Sequence, residues 1–237
     1  MISKFSLKYL ILRFHQLFYF KQIIKRDFFN ILIDKKLIPI YNLKGLIVNY
    51  DKHEIEEISL INNNLLPLNT LELGCSLGIV SLNIKRKILN KKLISIDGNL
   101  DAINYCKENL KYNPSYEIEY IHHSIGGNSN FVVDKNNFLS SRSHLNEIDT
   151  INIKKSIQFV NQIINSNEIN CLVIDIEGME KFIFDNINLK DIKLIFVELH
   201  PSLYGKDCEK KILKNLLNNN FIIKEKINSN YCLENLN

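Results

Sequence analysis

The sequence predicts an α/β protein built on a mostly parallel sheet, with an antiparallel hairpin at its end and a basic helical arm at its start. Three observations carry that expectation. From about residue 43 onward, short apolar runs alternate with amphipathic stretches, a rhythm that implies parallel strands covered by helices on both faces. The last residues break the rhythm: FIIKEKI, the turn residues Asn228, Ser229 and Asn230, and then YCLENL read as a hairpin. Between them, LELGCSLGIVSLNI (Leu71 to Ile84) places an acid and two glycines where a buried strand would turn into a helix.

The arm comes first, over residues 1–42. Residues 1–45 hold nine Lys or Arg against Asp27 and Asp34, a net of +7, so the remaining chain, with 21 basic and 24 acidic residues, carries −3. Leu7, Leu10, Ile11, Phe14, Leu17 and Phe18 recur at helical spacing and form an apolar stripe, interrupted by Lys8, Arg13 and Lys21. No apolar run reaches the roughly 20 residues of a membrane span, and no small-residue cleavage site follows, so neither a span nor a signal peptide is expected. Such a helix would either lie on an anionic membrane through residues 1–36 or pack against the domain or a second subunit.

Residues 43–237 form the expected domain. Its 237-residue chain is 46% hydrophobic, enough for one sizeable core. Strands are expected at Leu46–Val48, Leu71–Leu73, Leu93–Ile96, Ile118–Ile121, Cys171–Ile174, Leu194–Val197 and Phe221–Ile223. Helices are expected at Asn99–Leu110, Lys154–Ile164 and Cys208–Leu217. The Asn- and Ser-rich tract from Gly126 to Asn146 is long for a plain connection and reads as a lid or substrate loop. Five cysteines, odd in number and without a C-x-x-C pair, argue against a disulfide framework or a zinc site and fit a reducing cytoplasm.

In an open α/β sheet, ligands bind beyond the carboxyl ends of the strands, where the first strand-to-helix turn presents backbone N–H groups. Gly74 and Gly78 would make that turn. Their E-x-G-x-x-x-G spacing is neither the dinucleotide fingerprint nor a P-loop, so a ligand with an adenosine part and no pyrophosphate is the better candidate. The strand LISID ends in Asp97, followed by Gly98, and that carboxylate would accept hydrogen bonds from both ribose hydroxyls. Ser124, after His122 and His123, ends the next strand near where an adenine would sit. Nucleic acid is disfavoured as a partner, because the domain is mildly acidic and the arm lacks a recognition motif.

LELGCSLG followed by ISIDGN resembles the first two motifs of class I S-adenosylmethionine-dependent methyltransferases. CLVIDIEGME (Cys171 to Glu180) and LIFVELHPSLY resemble the signature strands of the FkbM family within that class, over about residues 43–227. The family's first turn is D-V-G-A-N-x-G, for which Glu72, Cys75 and Ser76 here replace the Asp, Ala and Asn. The resemblance implies a Rossmann-like seven-stranded sheet, and S-adenosylmethionine held by Glu72, Gly74, Cys75, Ser76, Gly78, Asp97, Gly98, Ser124 and Asp175. It also implies methyl transfer to a hydroxyl of a saccharide, glycolipid or related metabolite. A sugar hydroxyl is a poor nucleophile and needs help to lose its proton. His200, with Glu198 and Glu177, is the expected base by its ordinary pKa. The alternative is Mg²⁺ held by Asp175 and Glu177. Two rival functions on the same fold are methylation of an amine and binding of the cofactor without catalysis.

Overall fold

A computed structural model describes residues 21–26, 28–48, 54–126, 131–138, 141–143 and 150–236. Seven strands make the central sheet: β3 (Thr70–Leu73), β4 (Leu93–Asp97), β5 (Glu119–His122), β8 (Cys171–Ile174), β9 (Leu194–Glu198), β10 (Phe221–Ile227) and β11 (Asn230–Asn235). Their spatial order is β10-β11-β9-β8-β3-β4-β5. The pairs β3 with β4, β4 with β5, β3 with β8 and β8 with β9 are parallel, and only β11 runs against its neighbours β9 and β10. The expected mostly parallel sheet with a C-terminal antiparallel hairpin is therefore present.

The sheet is sided by strand alternation. Cys171, Val173, Leu194 and Phe196 face one buried layer with Leu77, Leu82, Ile84 and Tyr105, from the helices Ile79–Lys87 and Leu100–Leu110 and the turn before the first of them. Leu172, Ile174, Ile195 and Val197 face the other layer with Ile157, Val160 and Leu216, from the helices Thr150–Ser166 and Lys206–Asn218. Order reverses at β3, whose chain leaves towards β4 while β8 lies on its other side. This reversal opens a crevice at the carboxyl ends of the two strands.

Two expectations about the start of the chain are corrected. Where a helical arm was expected through residue 42, β1 (Gln22–Arg26) and β2 (Phe29–Ile33) form an antiparallel hairpin. Phe29, Ile31, Leu32 and Ile33 are buried in the first core layer. The N–H groups of Asn30 and Leu32 donate to the side-chain oxygens of Asn113 and Asn109 at 2.7 Å, and Tyr105 Oη donates to Leu32 O at 2.9 Å. The hairpin is thus bound to the domain through tertiary hydrogen bonds. The short apolar run Leu46–Val48 is helical, the end of the helix Ile40–Val48, so the boundary expected at residue 43 falls inside one element. Leu7, Leu10, Ile11, Phe14, Leu17 and Phe18 lie outside the described residues. Among the described residues no helix is long and apolar enough to cross a membrane.

Candidate active site

The turn after β3 is shaped by its glycines. Gly74 has φ +90°, and a Cβ there would stand 1.6 Å from the carbonyl oxygen of Asp175, so only glycine lets β3 and β8 converge at this end. Gly78 has φ +71° and opens the helix Ile79–Lys87. Between them Ser76 is held at φ +43°, and its N–H donates to Asp97 Oδ2 at 2.8 Å. The other oxygen of Asp97 accepts from Asn99 N at 2.7 Å. The carboxylate at the end of β4 therefore clamps the glycine turn to the start of the next helix. Each of its oxygens keeps a lone pair for a further donor.

A cleft open to solvent runs along these strand ends. Gly74, Ser76, Asp97, Gly98, Ser124, Asp175 and Glu177, all among the residues singled out from the sequence, line it. So do His123, which precedes Ser124 at the expected strand end, and Phe131, Phe138, Ser141 and Met179, which were not among the expected site residues. Phe131 belongs to the short ribbon of β6 (Phe131–Val132) and β7 (Arg142–Ser143), and its ring lies where a Cβ on Gly98 would meet it at 2.5 Å. Phe138 is fixed from the N-terminal side, its N–H donating to Asn42 Oδ1 at 3.0 Å. The tract expected as a lid thus supplies aromatic walls. His122 Nε2 lies 3.0 Å from Gly98 O.

Two expected cofactor contacts point elsewhere. Glu72 is 1% exposed and accepts hydrogen bonds from Ser81 and Ser95 on the core side of β3. Strand alternation turns its side chain under the sheet, and burial raises its pKa to about 7 despite the two hydroxyl donors. Cys75 is buried beside Cys106, and burial pushes its thiol pKa well up. Both residues support the turn from beneath.

At the ends of β8 and β9 four carboxylates surround one imidazole. His200 Nε2 lies 3.6 Å from Asp175 Oδ1 and 3.7 Å from Glu177 Oε2. On the opposite edge of the ring, Nδ1 lies 2.9 Å from Glu180 Oε1. Glu180 is fully buried and also accepts from the N–H groups of Ile176 and Gly178, each at 3.3 Å. Its position three residues beyond Glu177 is visible in D-x-E-G-x-E; its partnership with His200, twenty residues away, is not. Burial pulls the His200 pKa down, but the hydrogen bond and charge of Glu180, then Asp175 and Glu177, lift it to about 9. These carboxylates favour the protonated imidazole, which counts against the expected role of His200 as the base. Burial raises Asp175, Glu177 and Glu198 above the ordinary carboxylate range, and His200 opposes the shift in each. The set with ligand spacing is Asp175, Glu198 and His200, one donor atom from each lying within 4.8 Å of the others. Glu177, expected as a ligand with Asp175, stands outside that set.

Several polar atoms in this region are shielded from solvent and lack a hydrogen-bond partner: Ser76 Oγ, His123 Nε2, Asp175 Oδ1 and Glu180 Oε2. The first three belong to cleft-lining residues. Orphaned polar atoms gathered in one cleft are the mark of a site completed by a ligand.

The family model of the methyltransferase FkbM domain matches residues 54–223. A stretch of 75 residues is 29% identical to a bifunctional methyltransferase of Rickettsia bellii (strain RML369-C), covering 31% of this chain and 14% of that protein. Among solved structures, WbdD in complex with the kinase inhibitor LY294002 superposes with a TM-score of 0.51 at 14% identity, over 81% of this chain and 42% of that one. A precorrin-6y C5,15-methyltransferase from Geobacter metallireducens GS-15 gives a TM-score of 0.45 at 12% identity, over 86% and 92% of the two chains. At 14% identity the likeness to WbdD shows the fold alone. This chain spans well under half the length of both the bifunctional relative and WbdD.

Proposed function

This chain belongs to the methyltransferase FkbM family, and from that premise we propose that it transfers a methyl group from S-adenosylmethionine to a hydroxyl of a saccharide, glycolipid or related metabolite. The observation that carries the reading is the set of unpaired buried atoms on Ser76, His123 and Asp175 in one cleft at the reversal point of the sheet. A nucleoside sulfonium fits that set. Asp97 has lone pairs for the ribose hydroxyls, Phe131 beside Gly98 and His123 after β5 line the part of the cleft where the adenine would lie, and Ser76 lies at the glycine turn where the amino-acid end would sit.

The reaction is an in-line displacement, in which alignment is the protein's main contribution. Bound S-adenosylmethionine would supply an electrophilic methyl group, whose bond to sulfur would break with its electron pair left on sulfur as the acceptor oxygen bonds to the carbon. The hydroxyl proton passes to Glu177, which lines the cleft and whose raised pKa makes it a stronger base than an ordinary carboxylate. His200, whose Nε2 lies 3.6 Å from Asp175 and 3.7 Å from Glu177, orients both carboxylates.

The second reading is an amine acceptor, favoured by the same ring of carboxylates, which would hold a cationic nitrogen before its deprotonation. A methyl-transfer screen with labelled cofactor against cell-envelope extracts, read by mass spectrometry, separates the two. A methylated hydroxyl supports the first reading and a methylated amine the second. Cofactor binding without any product points to the third possibility, a binding protein that has lost catalysis. Cytoplasmic residence, with peripheral contact at the inner face of the membrane through the stretch that precedes the docked hairpin, belongs to the same reading, since Lys4, Lys8 and Arg13 would draw the enzyme to an anionic surface where glycolipid acceptors are made.

A further inference from the structure

We infer that Asp175, Glu198 and His200 form a binding site for a divalent cation of the Mn²⁺ type at the acceptor end of the cleft, with Glu180 holding His200 in place from behind. The inference rests on the proposed placement of the acceptor beside these strand ends and goes beyond it by naming a second ligand.

The geometry has three independent parts. Ligand atoms about 2.1 Å from an ion stand about 3.0 Å apart when adjacent and about 4.2 Å apart when opposite. One atom from each of Asp175, Glu198 and His200 lies within 4.8 Å of the other two, and the Asp175 Oδ1 to His200 Nε2 distance is 3.6 Å. That separation is too long for a hydrogen bond. A shift of a few tenths of an ångström would bring both atoms onto one ion.

The second part is the environment of Asp175 Oδ1. It is sealed from solvent and has no hydrogen-bond partner, although it belongs to a charged side chain at a strand end. An unpaired buried carboxylate oxygen carries a large desolvation cost, which a cation would offset. Four carboxylates, those of Asp175, Glu177, Glu180 and Glu198, converge on a single imidazole, which gathers oxygen ligands of the kind a hard cation takes in one place.

The third part lies behind the ring. A metal-bound histidine almost always donates its other N–H to a carboxylate or carbonyl, which fixes the tautomer and the ring plane. His200 Nδ1 lies 2.9 Å from Glu180 Oε1, which itself accepts from two backbone N–H groups of the turn and so cannot swing away. Nε2 is left aimed at Asp175. One imidazole with two carboxylates suits a hard-to-borderline ion such as Mn²⁺ better than a thiophilic one. Glu198 and His200 come from the end of β9 and Asp175 from the end of β8, so the site forms only when the two strands are paired.

The test is titration of the purified, metal-stripped full chain with Mn²⁺, followed by loss of the free-ion signal in electron paramagnetic resonance. One Mn²⁺ per chain with Kd below about 100 μM is expected, and Glu198→Gln and His200→Ala should each weaken it at least tenfold. Glu180→Gln should weaken it by about 10- to 100-fold without removing a ligand. Circular dichroism of each variant checks the fold, and the more exposed Glu198→Gln keeps the test decisive if His200→Ala does not fold. No bound Mn²⁺ at 1 mM, or equal affinity in the wild type and a folded Glu198→Gln variant, overturns the site. S-adenosylmethionine binding measured on the same preparations separates the two failures. Cofactor binding without Mn²⁺ binding sinks the cation site alone, whereas Mn²⁺ binding through these residues without cofactor binding sinks the methyl-transfer reading alone.

Discussion

His200 and Glu180 are joined by a 2.9 Å contact between Nδ1 and Oε1, and the glutamate is completely buried while the histidine side chain keeps 15% of its surface exposed. Glu180 is therefore a positioning residue, which acts on the reaction through His200. Its replacement by glutamine keeps an oxygen for the ring N–H and removes the charge. Glu180→Gln is expected to lower kcat by about 10- to 100-fold while leaving the Kd for S-adenosylmethionine unchanged. Steady-state kinetics beside calorimetry checks this. A loss of cofactor affinity as large as the loss of turnover would mean that Glu180 only supports the fold of the turn.

Glu72 predicts a pH dependence of stability. Its folded pKa, about 7, lies above the ordinary ~4.5 of an unfolded carboxyl, so the folded state binds its proton more tightly than the unfolded state does. The associated stability is complete below about pH 4.5, declines as pH rises, and is gone above about pH 7. At roughly 1.4 kcal/mol per unit the full change is about 3 kcal/mol. Glu72→Gln keeps an acceptor for Ser81 and Ser95 and carries no charge. Urea unfolding should find the variant more stable than the wild type at pH 8 and nearly equal to it at pH 4.5. A constant difference across that range would show that Glu72 ionises without penalty.

The legible part of the molecule was the part whose local pattern and tertiary role agree. The apolar runs of β4, β8 and β9 are buried on both faces, so their hydrophobicity alone marked them. Gly74 and Asp97 were legible because a tight turn and a strand-end acid each demand a residue type. The hairpin of residues 22–33 was hidden, because β2 satisfies its outer edge with the side chains of Asn109 and Asn113 from another part of the chain. Three apolar residues, Leu46 to Val48, are too few to separate strand from helix. Glu72 was placed in the cleft by motif position, whereas the two-residue alternation of β3 turns it inward. The His200 pKa depends on Glu180, a neighbour visible only once β8 and β9 pair.

The N-terminal hairpin predicts the outcome of truncation. Deleting residues 1–36 removes Phe29, Ile31, Leu32 and Ile33, each at most 3% exposed. At about 1.5 to 3 kcal/mol per buried side chain, the loss of roughly 6 to 12 kcal/mol is comparable to the ~5–15 kcal/mol net stability of a whole domain. The truncated protein should be aggregated or unfolded at 25 °C, as read by circular dichroism and size exclusion. A monomeric, cooperatively folding truncation would show that the hairpin is dispensable to the core.

The central claim is that the cleft at the ends of β3, β4 and β5 holds S-adenosylmethionine through Asp97, and isothermal calorimetry tests it directly. The wild-type chain is expected to bind S-adenosylmethionine or S-adenosylhomocysteine at one site. Asp97→Ala should weaken that binding by about 1 to 3 kcal/mol, because charged hydrogen bonds to the ribose are lost. No heat of binding to the wild type, or equal affinity in a folded Asp97→Ala variant, would contradict the claim.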